Sequence, residues 1–300
     1  VQHLPVLLNT CIQELCLDLD GRYIDATFGR GGHTQALLNH LSAQAQIHVI
    51  DQDPDALVVA HELAARDNRV KVHAGSFHQL IQWIKIPEYA KQFNGILFDL
   101  GVSSPQLDNA QRGFSFLHEG PLDMRMDPTQ GISAAQWIAK INEKDLADTI
   151  YQYGEERLSR RIARAICEQR EKTPFTTTTQ LADCIKFSVP PPSPKQRHRI
   201  HAATRTFQAI RIVVNQELTV LEQVLPATLE LLKPGGRLLV MSFHSLEDRI
   251  VKHFMRDMSK KSDDPTSVKL KRIAKIQASD EEIKDNPRAR SVMLRVAEKM

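Results

Sequence analysis

Apolar residues in the first hundred positions fall into short runs separated by helical stretches. A lead-in helix is expected over Val6–Leu17, followed by strands at Tyr23–Phe28, Gln46–Ile50, Val70–His73 and Gly95–Gly101. Between the strands lie helices at Thr34–Leu41 and from Asp53 to Arg66, then helical stretches to Phe93. Asp53-Pro54 is a helix start, with an acid to cap and proline at the first helical position. Gly95–Gly101 is apolar on both faces, as a buried parallel strand should be. Strands alternating with helices four times predict an open parallel sheet of the α/β class.

The alternation then stops. Residues 107–206 carry no strong strand signal. After a loop they show helical periodicity at about Ser133–Ile141, Glu143–Tyr151, Glu155–Arg170 and Thr179–Ser188. Pro190-Pro191-Pro192-Ser193-Pro194 reads as a stiff extended spacer. Alternation resumes with a helix over Thr206–Leu232, a turn at Lys233-Pro234-Gly235-Gly236 and a strand at Arg237–Phe243. A helix opens at His244–Arg249 with Ser245 as its cap. Residues 259–286 are charged and poor in apolar positions, which predicts a mobile loop, and Ser291–Ala297 is a last strand. The expected organisation is a core of 1–106 and 207–300 interrupted by a helical insertion of 107–206.

Composition narrows the setting. Hydrophobic content of 42% and charged content of 25% are those of an ordinary globular protein. No apolar run approaches the ~18 residues of a membrane span, and no signal peptide is visible. Cys11, Cys16, Cys167 and Cys184 form no CxxC pair, which argues against a zinc ribbon or a disulfide framework and fits a reducing cytoplasm. His198-x-x-His201 has no nearby carboxylate or cysteine, so no metal site is expected. The net charge of +3 is too small to imply nucleic acid by itself.

The chemistry concentrates at the carboxyl ends of the expected strands, where open α/β sheets bind ligands. In Asp25-Ala26-Thr27-Phe28-Gly29-Arg30-Gly31-Gly32-His33, glycines allow a tight turn and close approach of a ligand. The turn is not the dinucleotide fingerprint, because Thr34 stands where the third glycine belongs. Asp25 would repel a pyrophosphate but attract a cationic ligand such as a methionine ammonium group, which favours S-adenosylmethionine over NAD. Asp51, 19 residues beyond Gly32, stands where ribose hydroxyls are held. Phe77 and the stretch from Asp99 to Gln106 fall at the same ends. Gly101-Val102-Ser103-Ser104-Pro105 is not G-x-S-x-G, so a serine hydrolase is unsupported.

The insertion carries the basic signal. Arg157, Arg160, Arg161 and Arg164 are spaced to share one helix face, with Leu158, Ile162 and Ile166 roughly opposite. No acid occurs from Cys184 to Gln216, a stretch that includes Arg197, Arg199 and Arg205. Both features suit contact with a phosphate backbone; a solvated basic face is the plainer alternative.

Together these segments resemble the MraW (RsmH) family of bacterial small-subunit rRNA methyltransferases, which act on the N4 of a cytosine. The likeness rests on Ile24–His33, Asp51–Pro54, Asp99–Asp108, Arg112–Phe116, Gly120–Pro128, Tyr153–Arg157, Thr204–Arg211, Pro234–Arg237, Ser242–Ile250 and Asn286–Ser291. It implies a class I S-adenosylmethionine-dependent methyltransferase core, a Rossmann-like open sheet, carrying a helical insertion for RNA recognition. The cofactor is then expected at Gly31, Gly32, His33, Asp51, Phe77, Asp99 and Gln106, beside Asp25 and Gly29 from the turn itself. The expected partner is 16S rRNA or the small subunit in the cytoplasm, at its decoding centre, with a homodimer left open. Ser103-Ser104-Pro105-Gln106 is only similar to the acid-or-serine, Pro-Pro-aromatic loop of DNA amino-methyltransferases. It makes Ser104, the Pro105 carbonyl and Asp99 the catalytic candidates. A non-catalytic RNA-binding assembly factor retaining the cofactor pocket is the alternative.

Overall fold

The computed structural model describes residues 5–191, 202–260 and 269–300. The chain forms two compact units, Val1–Gly101 with Leu218–Met300, and Val102–Glu217.

The first unit opens with α1 (Leu8–Leu15), β1 (Arg22–Asp25), α2 (Gly32–Leu38), β2 (Gln46–Asp51), α3 (Pro54–Arg66) and β3 (Val70–Ala74). A 3-10 turn at Phe77–Gln79 leads into α4 (Leu80–Trp83), then β4 (Phe93–Asp99). α3 begins at Pro54 because the Asp53 side chain accepts the Asp55 amide at 3.0 Å and proline costs no hydrogen bond there. The second unit holds α5 (Ser104–Asp108), α6 (Ala134–Lys140), α7 (Glu143–Gly154), α8 (Ser159–Lys172), α9 (Thr178–Ser188) and α10 (Ala202–Val214). The chain continues through α11 (Glu217–Leu231), β5 (Leu232–Ser242), α12 (Ser245–Asp257), β6 (Leu270–Ile276), α13 (Asp280–Asp285) and β7 (Met293–Lys299).

The seven strands lie in the order β3-β2-β1-β4-β5-β7-β6. The first five are mutually parallel, while β7 runs antiparallel to both β5 and β6. Both faces of this sheet are covered, and side-chain alternation decides which residue goes where. Tyr23, Ile47, Val49, Leu97, Leu239 and Met241 pack with Cys11, Leu15, Leu37 and Ala60 of α1–α3. Their neighbours Ile24, Ile50, Ile96, Phe98, Leu238 and Val240 pack with Leu80, Trp83, Val224, Val251 and Met255. The second unit has its own core, built around Ile138, Leu146, Ile150, Ile162, Ile166, Leu181, Phe207 and Ile210.

Four expectations change. The helix at Thr206–Leu232 is two helices, parted at Asn215-Gln216, where Gln216 takes φ +53°. The first of them, α10, belongs to the insertion: Ala203, Phe207 and Ile210 lie in that unit's core, so its boundary is Glu217 rather than residue 206. Lys233-Pro234-Gly235-Gly236 does not separate helix from strand. It is an irregularity inside β5, where pairing with β4 jumps from Phe93↔Leu232 to Gly95↔Arg237, and Gly235 supplies the required φ of +78°. Much of 259–286 is ordered as β6 and α13. β6 is an edge strand whose exposed Lys271, Arg272 and Lys275 dilute the apolar alternation, as edge strands commonly do to avoid further pairing.

Candidate active site at the strand ends

Asp25 ends β1, Asp51 ends β2 and Asp99 ends β4, three adjacent strands of the sheet. The fold therefore gathers three carboxylates at one edge. Asp25 is buried; it accepts the Thr27 amide at 3.2 Å and the Thr34 hydroxyl at 2.6 Å. Thr34 thus has a specific use where the dinucleotide motif has glycine. Asp51 accepts the Gly29 amide at 2.7 Å and the Asp53 amide at 2.9 Å, so it holds the glycine turn to the end of β2. The Asp99 amide is fixed by the Thr27 hydroxyl at 2.6 Å. Among the described residues no hydrogen-bond donor reaches the Asp99 carboxylate; its ionic neighbour is His33 Nδ1 at 3.8 Å.

Burial raises all three acids. It pushes Asp51 up to about 6 against the pull of the Asp53 and Gly29 amides. It likewise brings Asp99 to about 6; His33 opposes the rise, and Asp25 and Glu247 add to it. Asp25 also lies above the usual carboxylate range, by burial, with Thr34 and His33 opposing. No lysine or arginine among the described residues pairs with any of the three. Clustered acids without a protein cation fit a cationic ligand.

The glycines divide by purpose. Gly29, at φ +56°, has open space where a Cβ would project, which leaves room for a ligand against its backbone. Gly31, at φ +75°, packs on the Phe28 ring, 2.6 Å from an ideal Cβ position. At Gly32 a Cβ would lie 2.2 Å from Pro5. Gly31 and Gly32 are thus required by internal packing, and only Gly29 is open. His33 is buried, with Nε2 donating to the Val6 carbonyl at 3.0 Å. Phe77 sits in the 3-10 turn capped by Ser76, half-buried, its ring edge-on to Phe98 at 5.3 Å. The sequence reading missed the end of β5, where Glu247 is buried and accepts the Phe243 and His244 amides at 2.8 and 3.3 Å. His244, rather than the expected Ser245, caps α12. A glutamate three residues beyond a helix start was the available signal.

In the second unit, Ser104 and Pro105 are the first residues of α5. Gln106 is buried, and its side chain accepts the Ser103 amide at 2.9 Å in a capping box. The Pro105 carbonyl, expected to face a substrate amine, accepts the Asn109 amide at 2.9 Å within the helix. That competing use weakens its candidacy and leaves Asp99 and Ser104. Arg160, Arg161 and Arg164 are exposed on α8, opposite buried Ile162 and Ile166. Arg157 is exposed but precedes the helix, because Gly154 ends α7 and Glu155 turns left-handed at φ +51°. Leu158 is exposed at 40%, contrary to the amphipathic pattern. Arg205 reaches Glu156 at 3.5 Å. Arg197, Arg199 and the His198–His201 pair lie outside the described residues.

A β3-β2-β1-β4-β5-β7-β6 sheet with its antiparallel strand next to the edge, and acids ending β1, β2 and β4, defines a class I S-adenosylmethionine-dependent methyltransferase. A profile of the MraW methylase family matches residues 1–300, and the chain belongs to that family. It is 51% identical to "Ribosomal RNA small subunit methyltransferase H" of Stenotrophomonas maltophilia (strain K279a), over 99% of this chain and 93% of the relative. It is 50% identical to the protein of the same name from Acinetobacter baylyi, over 100% of both chains. Among solved structures, a putative rRNA-methylase from Clostridium thermocellum aligns with 97% of this chain and 92% of its own, at a TM-score of 0.43 and 12% identity, a loose likeness. No helix among the described residues is long and apolar enough to cross a membrane.

Proposed function

We propose that this chain transfers a methyl group from S-adenosylmethionine to the exocyclic N4 of a cytosine in the decoding centre of 16S rRNA, acting in the cytoplasm. The observation that carries the reading is the Asp99 carboxylate, which accepts no hydrogen bond from any described residue. It stands at the end of a strand beside Asp25 and Asp51. The names of relatives that match over the full chain supply the RNA.

The three acids and the Gly29 backbone would hold the cofactor, with Asp51 on ribose hydroxyls and Phe77 beside the adenine. When bound, S-adenosylmethionine supplies an electrophilic methyl on a sulfonium. The cytosine amine is a poor nucleophile because its lone pair is delocalised into the ring. An acceptor aimed at its hydrogens draws that pair out of conjugation as the bond forms. Asp99 is that acceptor, with the Ser104 hydroxyl as the second candidate. The base must leave any stack to be reached; Phe114 and Phe116, aromatics of the insertion, are not assigned to hold it, because Phe114 is buried in that unit's core and Phe116 packs edge-on to Phe207 at 4.9 Å. The insertion's Arg157, Arg160, Arg161, Arg164 and Arg205, with Arg197 and Arg199, would contact the RNA backbone.

The cysteines bear on the rival site, ring carbon C5, which is commonly methylated through a thiolate. Burial raises Cys11, Cys16, Cys167 and Cys184 above the ordinary thiol value, Cys184 to about 11, and Cys11 lies against the Met241 sulfur at 3.7 Å. None is poised as a nucleophile. Nucleoside mass spectrometry of small-subunit rRNA, with and without the protein, tests the reading. N4-methylcytidine that depends on the protein is expected; C5-methylcytidine, or no change, overturns it.

A further inference from the structure

The peptide between Val6 and Leu7 is gripped on both sides. Its N–H donates to Glu282 Oε1 of α13 at 2.6 Å, and its C=O accepts from His33 Nε2 at 3.0 Å. The other ring nitrogen of His33 stands 3.8 Å from Asp99 Oδ2. Leu7 takes φ +51°, an uncommon value for a β-carbon residue. The clamp therefore holds the backbone in a conformation it would otherwise seldom adopt. Because Nε2 must donate to a carbonyl, Nδ1 can face the carboxylate as a donor only when the ring is protonated. A carboxylate accepting the peptide N–H polarises the peptide, making its carbonyl a better acceptor for that ring.

We propose that Glu282, the Val6–Leu7 peptide and His33 form one relay whose charge acts on the Asp99 carboxylate across the 3.8 Å from His33 Nδ1 and keeps it ionised for the amine hydrogens. This deepens the reading of Asp99 given above and rests on it. His33 and Glu282 act through Asp99 and so are positioning residues. In the transfer the nitrogen lone pair forms the N–C bond, and the S–C pair stays on sulfur. The N–H bond that breaks leaves its electrons on nitrogen and its proton on Asp99. His33, the neighbour that opposes protonation of Asp99, keeps that carboxylate free to receive it. The other titratable groups around the pair are Asp25 on β1, Cys11 on α1 and Glu247 on α12, with Glu282 itself on α13. Asp25 and Glu247 favour protonation of Asp99; His33 is the neighbour that opposes it.

The test uses the full chain. In the ligand-free protein, carboxyl 13C NMR should place the Asp99 titration near its value of about 6. It should move upward in His33→Gln and, by less, in Glu282→Gln, which keeps an oxygen acceptor for the Leu7 amide but removes the charge. The low-pH limb of kcat should move the same way. At pH 6.5 that is a loss of about threefold in Glu282→Gln, disappearing by pH 8.5, as expected when only the ionised fraction changes. The dissociation constant for S-adenosylmethionine at pH 8.5 should stay unchanged. An unmoved Asp99 titration in Glu282→Gln overturns the relay even if His33→Gln fails to fold. A moved titration with no methylation at N4 overturns the reading of Asp99 and leaves the relay standing.

Discussion

In the sheet unit, Asp25, Asp51 and Asp99 lie at neighbouring strand ends, and no lysine or arginine among the described residues pairs with them. In the helical unit, Arg157, Arg160, Arg161 and Arg164 stand in solvent, and among the described residues their acid partner is Glu143, 3.8 Å from Arg164 with both side chains well exposed. The two regions carry opposite charge and hold it differently. Asp25 and Asp51 are fixed by backbone amides and a threonine hydroxyl, and Asp99 by its own amide on the Thr27 hydroxyl, so their geometry is part of the fold. The arginines sit on long side chains over a packed helix and can follow a ligand. Fixed acids suit a small cation held at one place; exposed arginines suit a repeating polyanion whose contacts are many and individually weak.

The comparison is broken most directly at Asp99. Asp99→Asn keeps the shape and removes the charge, so kcat for rRNA methylation should fall by about 10²-fold or more, while the thermal melt is preserved. A variant with near-normal kcat would return the catalytic role to Ser104. Next comes Asp51→Ala, which leaves the Gly29 and Asp53 amides without their partner and removes the proposed acceptor for the ribose hydroxyls. Calorimetry should show cofactor binding weakened by about 1–3 kcal/mol, and unchanged affinity would remove Asp51 from the site.

Proton linkage should separate stability from binding. Asp51 and Asp99 titrate near 6 in the folded chain, above the unfolded value of about 3.9. The folded state therefore holds their protons more tightly. Their contribution to the stability of the ligand-free protein is greatest below pH 4, falls between about pH 4 and 6, and is level above. Attraction for a sulfonium needs the ionised acids and runs the other way. Affinity for S-adenosylmethionine should rise by roughly tenfold from pH 5 to 7, and calorimetry at the two values checks it. The smallest effect is expected in the insertion. Arg160→Glu with Arg161→Glu should weaken RNA binding and flatten its salt dependence by ~0.7–0.9 per lost phosphate contact. Cofactor affinity should stay the same; unaltered RNA binding would make the stripe a solvated face.

How much of this was legible follows from the range of the interactions. The start of α3 at Pro54 is written in two adjacent residues, and the parallel sheet in runs of apolar residues that need no partner to be recognised. Asp25 and Asp51 could be placed because a glycine turn and a spacing flank them. The His33–Asp99 pair and the grip of Glu282 on Leu7 join residues far apart in the chain, and no local pattern announces them. β6 escaped because an edge strand with lysine and arginine on its open side lacks the alternation of a half-buried one. Arg157 was put on the helix because spacing alone cannot show that Glu155 turns left-handed before it.

The position of β7 has a consequence for how the protein is made. Residues 293–299 form the strand lying between β5 and β6, and Lys299 Nζ donates to the carbonyls of Leu229 and Leu232, at 2.5 and 2.6 Å, where α11 meets β5. During synthesis, β6 leaves the ribosome before the strand that must separate it from β5. Until β7 follows, two strand edges that never meet in the native sheet are both exposed. The sheet can be completed only after translation has passed residue 299, and a nascent chain arrested before residue 293 would present β5 as an open edge ready to pair with another chain.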